Sequence, residues 1–592
     1  MQKVWEIKEK ISGEFLEGFA EYSPLTLQLL WNRNLKTQEA IDEFFNPDYD
    51  EDLHDPFLLF GMDRAVSRIN QAIKGGEKIL VFGDYDHDGV SGAALLHIFF
   101  REIGADSTVM IPDRLQEGYG LSQKSIKEII SQRVNLLITV DCGITDYEEI
   151  KRARDSGIDV IVLDHHLVYG EPPPAYAIVN PKQKEDTYPF KELTGAGIAF
   201  KVVEALLRRK TEKVKARNFP EGWEKWLLDL VTISTIGDIV PLLGENRTLV
   251  KYGLVVLSQT RREGLKALMA CARITPRLQK NLDPTGKLPI TNLDTSTVAF
   301  SIVPRINAAS RMDHADTAFL LLTTDSYDEA HELAGRLEGH NRDRQAMVEK
   351  IMKDVEARLS QLDNLPTVII EGSSDWSRGL LGIVANKILD KYFRPAFIFS
   401  QGSGQSVGSV RVMEGFHVVE AMESCKELFE EFGGHKHAGG FTIKNENLEK
   451  FKEAMRDYAR KTIGENGFSP RLEIEMELDP QDVNWELYDE VERFAPFGEA
   501  NPEPLFLIRN LEIRELRRVG KNGKHTQLVL QTAGSSPTAN KNFRAIYFNG
   551  DGETSRLSTG DRIDVVFEFI ADEWNGTREL KLKIIDLRPI TS

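Results

Sequence analysis

Lys78-Ile-Leu-Val-Phe-Gly-Asp-Tyr-Asp-His-Asp-Gly89 is the stretch that decides the fold. An unbroken apolar run enters a loop carrying Asp84, Asp86 and Asp88, and a second apolar segment, 93–100, follows it. A run without polar alternation suits a strand buried on both faces, and strand, loop and apolar helix in that order belong to a helix-covered parallel sheet. The rhythm repeats: segment 134–140 runs into Asp141-Cys142-Gly143, and segment 158–163 into Asp164-His165-His166. Ligands of such sheets bind beyond the carboxyl ends of the strands, and all three of these strands lead into Asp.

Outward from that sheet, the chain reads as a succession of domains. Residues 1–75 mix short helical stretches with Pro24, Pro47 and Pro56, an N-terminal arm or cap. The parallel-sheet domain spans 76–260, its second half helical, as is the chain to about 275. A helical connector spans 261–360 and contains a long helix from Glu332 to Leu359, rich in Glu, Arg, Lys, Ala and Leu. A second α/β domain, 361–465, opens at Thr367-Val-Ile-Ile370, and Gly464-Glu-Asn-Gly467 reads as a linker. Alternating apolar positions such as Leu472/Ile474/Met476 and Val565/Phe567/Phe569 make 466–592 a small barrel of the oligonucleotide-binding (OB) type.

Composition narrows the function. The 592 residues, 41% hydrophobic and 28% charged, are an ordinary globular mixture rather than a disordered or fibrous one. A net charge of −18 argues against a protein that coats nucleic acid or anionic membrane, but not against a local basic groove. Three scattered cysteines exclude a disulfide framework and a Cys-rich zinc site. No apolar run approaches the ~18 residues of a membrane span, and MQKVWEIKEK lacks a signal-peptide core, so a soluble, cytoplasmic protein is expected.

The acidic loop has the D-x-D-x-D-G look of a calcium loop, but position twelve is Leu95 instead of Glu and a strand precedes it. A solvated acidic turn would explain the loop alone. It does not explain Asp141, Asp164 and Asp238 as well, since carboxylates gathered at one sheet edge repel unless cations neutralise them. Two divalent ions meet that need and suit phosphoryl transfer. Mixed carboxylate and imidazole donors suit Mn²⁺, or abundant Mg²⁺. Adjacent His165 and His166 point in different directions on extended chain, one to a metal and one to substrate.

In order, GDYDHDG, VDCG, LDHH and the Gly237-Asp238 step resemble the four motifs of the DHH phosphoesterase superfamily. Pro304-Arg-Ile-Asn-Ala-Ala-Ser-Arg311 is similar to its PRLNAAGR stretch, and Gly433-Gly-His-Lys-His-Ala-Gly-Gly440 to the GGH signature of the DHH-associated domain. Phe497-Gly-Glu-Ala-Asn-Pro-Glu-Pro504 looks like the segment opening the barrel of the single-stranded-DNA exonucleases of this superfamily, the RecJ family. The resemblance implies that Asp86 and Asp88 each bind one of two metals, Mn²⁺ or Mg²⁺. Asp141 would bridge them, His165 and Asp238 complete the coordination, and Asp84 adds a contact. His166 would face the scissile phosphate and Asp164 orient its neighbours. The implied reaction is in-line hydrolysis releasing 5′-mononucleotides from a 5′ end, in DNA repair and recombination. Candidate substrate contacts by motif match are Arg114, Arg305, Arg311, Ser409, Arg411 and His435.

In the barrel, Arg514, Arg517, Arg518, Lys521, Lys524, Lys541 and Arg544 form a basic stripe suited to a single strand, with Phe543, Tyr547 and Phe548 interleaved either to stack on bases or to fill the barrel core. Three positions depart from the family pattern: Ser310 replaces a glycine, Ser377 a histidine, and His87 stands where a small residue is common. The implied partner is single-stranded DNA with a 5′-phosphate end, with a single-strand-binding protein or helicase as candidate protein partners and the chain acting as a monomer. Two alternatives stand beside this reading. One is a phosphodiesterase of short RNA or cyclic dinucleotides; the other is a catalytically silent replication or repair scaffold.

Overall fold

In the computed structural model, which describes residues 3–282, 286–464, 469–520, 523–532, 541–574 and 577–590, the apolar runs form a five-stranded, fully parallel sheet. Its strands stand in the order Ser107–Met110, Ile79–Gly83, Leu136–Val140, Asp159–Leu163 and Ala177–Val179. The two central strands are buried at every residue, the consequence of helices on both faces. Gly83 pairs with Val140 and Val140 with Leu163. Asp84, Asp141 and Asp164 therefore leave adjacent strands side by side, about 4.8 Å apart.

The acidic loop is shorter than the sequence suggests, because helix His87–Glu102 begins inside it. Asp86 is its N-cap and accepts hydrogen bonds from the Asp88 and Gly89 amides at 2.9 and 3.4 Å, which gives the orphan first-turn donors a partner. Gly89 permits the tight return, since a Cβ there would sit 2.3 Å from the Asp84 nitrogen. The apolar run before Asp238 is helix Leu228–Gly237, so a helix end and not a strand delivers that carboxylate.

The chain forms two compact units. One comprises residues 48–240 and 244–468 and holds the parallel sheet, the connector and the second α/β domain. The connector's long helix is Tyr327–Leu359. The second domain carries a mixed sheet in the order Phe429–Gly434, Ala438–Lys444, Gln405–Arg411, Ala396–Gln401, Ile369–Ser373. Of the expected linker Gly464–Gly467, residues 465–467 lie outside the described residues.

The other unit comprises residues 1–47, 241–243 and 469–592, so the N-terminal arm divides and its first part packs with the barrel. Strands Phe506–Val519, His525–Thr532, Asn542–Tyr547, Thr577–Pro589 and Arg562–Trp574 close into a five-stranded ring through pairing of the first with the last. Leu29, Leu30, Ile41, Phe44 and Phe45 share its core with Phe494, Phe506 and Ile513. Within the Phe497–Pro504 segment, Asn501 accepts from buried Arg33 at 2.6 Å and donates to the Phe494 and Pro496 carbonyls. That segment ties the arm to the barrel.

Candidate metal centre

Asp88 is fully buried at the start of helix Gly195–Arg209, where its oxygens accept from the Gly195 and Ala196 amides at 2.7 and 2.8 Å and from the Ser234 hydroxyl at 2.6 Å. A helix N-terminus stabilises such a buried carboxylate. Asp141 adopts the left-handed conformation (φ 62°), which turns its carboxylate back over the sheet edge. Its Oδ1 lies 3.2 Å from His165 Nε2. The same nitrogen is 3.7 Å from Asp88 Oδ2 and 3.7 Å from Asp238 Oδ2. Three carboxylates thus converge on one imidazole nitrogen.

His166 has a different role from its neighbour. Its Nδ1 is 2.8 Å from Asp164 Oδ1 and 3.0 Å from the Tyr119 hydroxyl, and its side chain is 38% exposed, which leaves Nε2 free to meet a ligand. Asp164 is fully buried and also accepts from the His165, His166 and Ile144 amides, so it orients both histidines. Burial opposes charge on His166, but Asp164 outweighs it and raises the imidazole pKa. Asp164 itself is held below the usual carboxylate range despite burial, through its bonds to His166 and the amides.

Asp84, Asp141 and Asp238 are electrostatically frustrated. Burial, then Asp86, pushes Asp84 well above its ordinary range, and its Oδ1 is buried without a hydrogen-bond partner. Burial and the charges of Asp88, Asp86 and Asp84 do the same to Asp141. Burial with Asp88 and Asp86 lifts Asp238 to about 8. Three sets of donor atoms lie within 4.8 Å of one another: Asp84, Asp86 and Asp141; Asp88, His165 and Asp238; Asp141, His165 and His166. The first two sets share no residue, and Asp141 joins the first to the third. Hard oxygen donors with one or two imidazoles fit Mn²⁺ or Mg²⁺, and a cation would relieve both the repulsion and the unpartnered Asp84 oxygen.

Arginines from three segments gather beside these acids. Arg114 stacks over the Tyr85 ring at 4.6 Å. Arg311 donates to the Gly379 carbonyl at 2.9 Å, and burial together with the Arg114 and Arg344 charges lowers its pKa to about 9. Arg411 bonds Ser409 Oγ at 3.2 Å and is likewise lowered by burial and by Arg114. A Cβ on Gly382 would lie 3.2 Å from Arg411 and 3.3 Å from Ser409, so the glycine opens the start of helix Leu381–Tyr392 to both side chains. Like charges desolvated together in this way favour an anion.

Two further sequence candidates are held differently. Arg305 is paired with Glu338 at 2.7 Å and bonds the Ser301 carbonyl. His435 is exposed on the turn between strands Phe429–Gly434 and Ala438–Lys444. Ser377 is exposed just before the turn Arg378–Leu380. In the barrel, Arg514, Arg517 and Arg544 are paired with Glu512, Glu515 and Glu579, which shortens the basic stripe. Lys541 binds the Gln481 and Val483 carbonyls, and Lys521 lies outside the described residues. Phe543 and Tyr547 fill the barrel core, whereas Phe548 is 44% exposed. Sequence reading missed Tyr119, Asn307 and Arg344. The last resembles any surface charge on a long helix.

Comparison with known proteins agrees with this geometry. Residues 78–235 match the DHH family N-terminal domain, 365–461 the DHHA1 domain and 474–586 the RecJ OB domain. The chain is 35% identical to the single-stranded-DNA-specific exonuclease RecJ of Bacillus subtilis, over 98% of this chain and 70% of that protein. It is 29% identical to the Escherichia coli protein of the same name over the whole of both chains. Its structure is similar to that of Thermus thermophilus RecJ in complex with Mn²⁺, with a TM-score of 0.81 and 29% identity, covering 100% of this chain and 80% of that one. A structure of the same protein with Mg²⁺ gives a TM-score of 0.75 at 28% identity, covering 100% and 79%. The chain belongs to the RecJ family of single-stranded-DNA-specific exonucleases.

Proposed function

We propose that this protein is a metal-dependent exonuclease that degrades single-stranded DNA from the 5′ end to 5′-mononucleotides. The observation that carries the reading is the convergence of Asp88, Asp141 and Asp238 on His165, beside a separate Asp84–Asp86–Asp141 group and within the same unit as the Arg114, Arg311 and Arg411 cluster. Asp84, Asp86 and Asp141 would hold one divalent ion, and Asp88, His165 and Asp238 a second. Such ions supply charge neutralisation at the scissile phosphate and activate the attacking water.

The protein's own groups do the rest. Backbone amides and Ser234 fix the Asp88 carboxylate before substrate arrives, so this carboxylate is preorganised for the reaction. Asp164 directs His165 into the acids and holds His166 by Nδ1, leaving Nε2 to donate to a phosphate oxygen. Arg114, Arg311, Arg411 and Ser409 would bind a terminal 5′-phosphate. Among the described residues no helix is long and apolar enough to cross a membrane. The C-terminal barrel, with Phe548 exposed, supports a polymer substrate over a cyclic dinucleotide, and the intact donor sets speak against a silent scaffold.

The test is digestion of 5′-phosphorylated single strands, duplexes and short oligoribonucleotides with Mn²⁺ or Mg²⁺. Mononucleotide release from the 5′ end of single-stranded DNA is expected. Folded protein that releases none with either metal would overturn the proposal.

A further inference from the structure

Phe300 is the most exposed large hydrophobic side chain among the described residues, at 78%. A lone exposed apolar residue is ordinary on a protein surface, so its position and not its exposure calls for an account. It lies on the π-helical turn Val298–Ile302, in which the Val303 N–H reaches the Val298 carbonyl five residues back. That turn runs directly into helix Val303–Met312. Such turns are rare and are frequent at functional sites.

The continuous helix brings one stripe of side chains past the whole site. Val298, Ile302, Val303, Ile306 and Ala309 are buried on one side. Phe300, Pro304, Asn307 and Arg311 stand on the other, each about one turn from the next. Arg311 donates to the Gly379 carbonyl at 2.9 Å within the arginine cluster. Asn307 accepts the His87 backbone N–H at 2.8 Å, next to Asp86. At the level of Val303, between Asn307 and Phe300, the helix end that carries Asp238 packs in, since a Cβ on Gly237 would lie 2.9 Å from Val303 Cγ2. Ile239, the residue after Asp238, is apolar and 69% exposed. From Arg311 the stripe therefore passes the acidic loop and then the Asp238 helix end before it reaches Phe300, about 16 Å away by helix rise.

We infer that Phe300 stacks on a base of the single strand on the 3′ side of the scissile phosphate. The inference rests on the function proposed above: with the 5′ end at Arg311 and cleavage at the acids, the strand still to be degraded extends toward Phe300. Every base has a flat π-face, and an exposed phenyl ring is its sequence-tolerant complement. Phe300 bears no charge and no metal donor, so it acts on binding and not on the chemical step. It meets a base and not the terminal phosphate, so it acts alike on 5′-phosphorylated and 5′-hydroxyl strands.

The experiment compares the full-length wild-type protein with Phe300→Ala, Phe300→Leu and Phe300→Trp. The single strands are intact or carry one abasic residue at position two, three, four or five from the 5′ end. Release of the first nucleotide is followed over a series of DNA concentrations with Mn²⁺, and binding by fluorescence anisotropy without metal. In the wild type, one abasic position should raise KM by about tenfold, the worth of one stacked base. Phe300→Ala should raise KM on the intact strand by a similar factor, leave kcat within about twofold, and be indifferent to the abasic residue at that position. Phe300→Trp should keep the wild-type KM, whereas Phe300→Leu, apolar but without a π-face, should follow alanine. The inference is overturned if Phe300→Ala binds and cleaves intact strands as the wild type does, which would leave the ring to a protein partner. It is equally overturned if every abasic position weakens that variant as much as the wild type. Should Phe300→Ala melt early, Phe300→Leu takes its place. Wild-type protein that removes no nucleotide would refute the proposed function, and the binding comparison would still decide the stacking.

Discussion

The acids at the sheet edge and the arginines beside them are opposite in charge and alike in predicament. Asp84, Asp141 and Asp238 repel one another in a buried site, and Arg311 and Arg411 are lowered by burial and by neighbouring arginines. They differ in how they are held. The acids follow three adjacent strands or are fixed by backbone amides, so their positions belong to the rigid sheet. The arginines come from a loop, a connector helix and a second domain. The acids should therefore govern chemistry on every substrate, and the arginines which end is accepted.

Asp141→Ala gives the largest effect. It removes the carboxylate shared by two donor sets, and single-turnover cleavage should fall by about a thousandfold or more on 5′-phosphorylated and 5′-hydroxyl strands alike. Its melting temperature without metal should not fall, because a repelled carboxylate has gone; full activity would break the comparison. Arg411→Ala comes next. Loss of one charge-assisted contact of about 1.5–3 kcal/mol should cut kcat/KM on 5′-phosphorylated strands roughly tenfold to a hundredfold, with little change on 5′-hydroxyl strands. Equal loss on both ends would erase the distinction between the regions.

Arg305→Ala sharpens it. Since Arg305 spends its guanidinium on Glu338, the change should cost less than about fivefold in kcat/KM, and well under the Arg411 effect. The smallest effect is on stability. Asp146 takes the Leu121 amide at 2.7 Å and is pushed up to about 6, chiefly by burial. A carboxyl with a raised folded-state pKa contributes stability below its ordinary pKa of 3.8, and that contribution is lost as pH rises through about 6. Asp146→Asn should therefore raise the melting temperature at pH 7.5 by an amount worth at most about 3 kcal/mol, and by less at pH 5, as calorimetry would show.

Much of this was legible in the chain. Unbroken apolar runs ending on Asp identify both the sheet type and its active edge, because strand continuity and strand termination are local properties. The helix start at His87 was less legible, since Asp86 reads as a loop residue until its carboxylate is seen to cap the next amides. Arg305 and Arg311 look equivalent in sequence. They diverge because one meets Glu338 from the long helix and the other meets Gly379 from the next domain.

By itself, then, the sequence determined the parallel sheet, the carboxylates at its edge and the barrel, each written in periodicity within a few residues. Only the tertiary structure decided that residues 1–47 pack with the barrel, that Asp238 reaches His165 from a helix end, that His87 is bonded by Asn307 and that three of the seven bases of the stripe are paired with glutamates. Those outcomes depend on where segments far apart in the chain meet in space. The free energy that selects them comes from burying and pairing groups across that meeting, which no local pattern encodes.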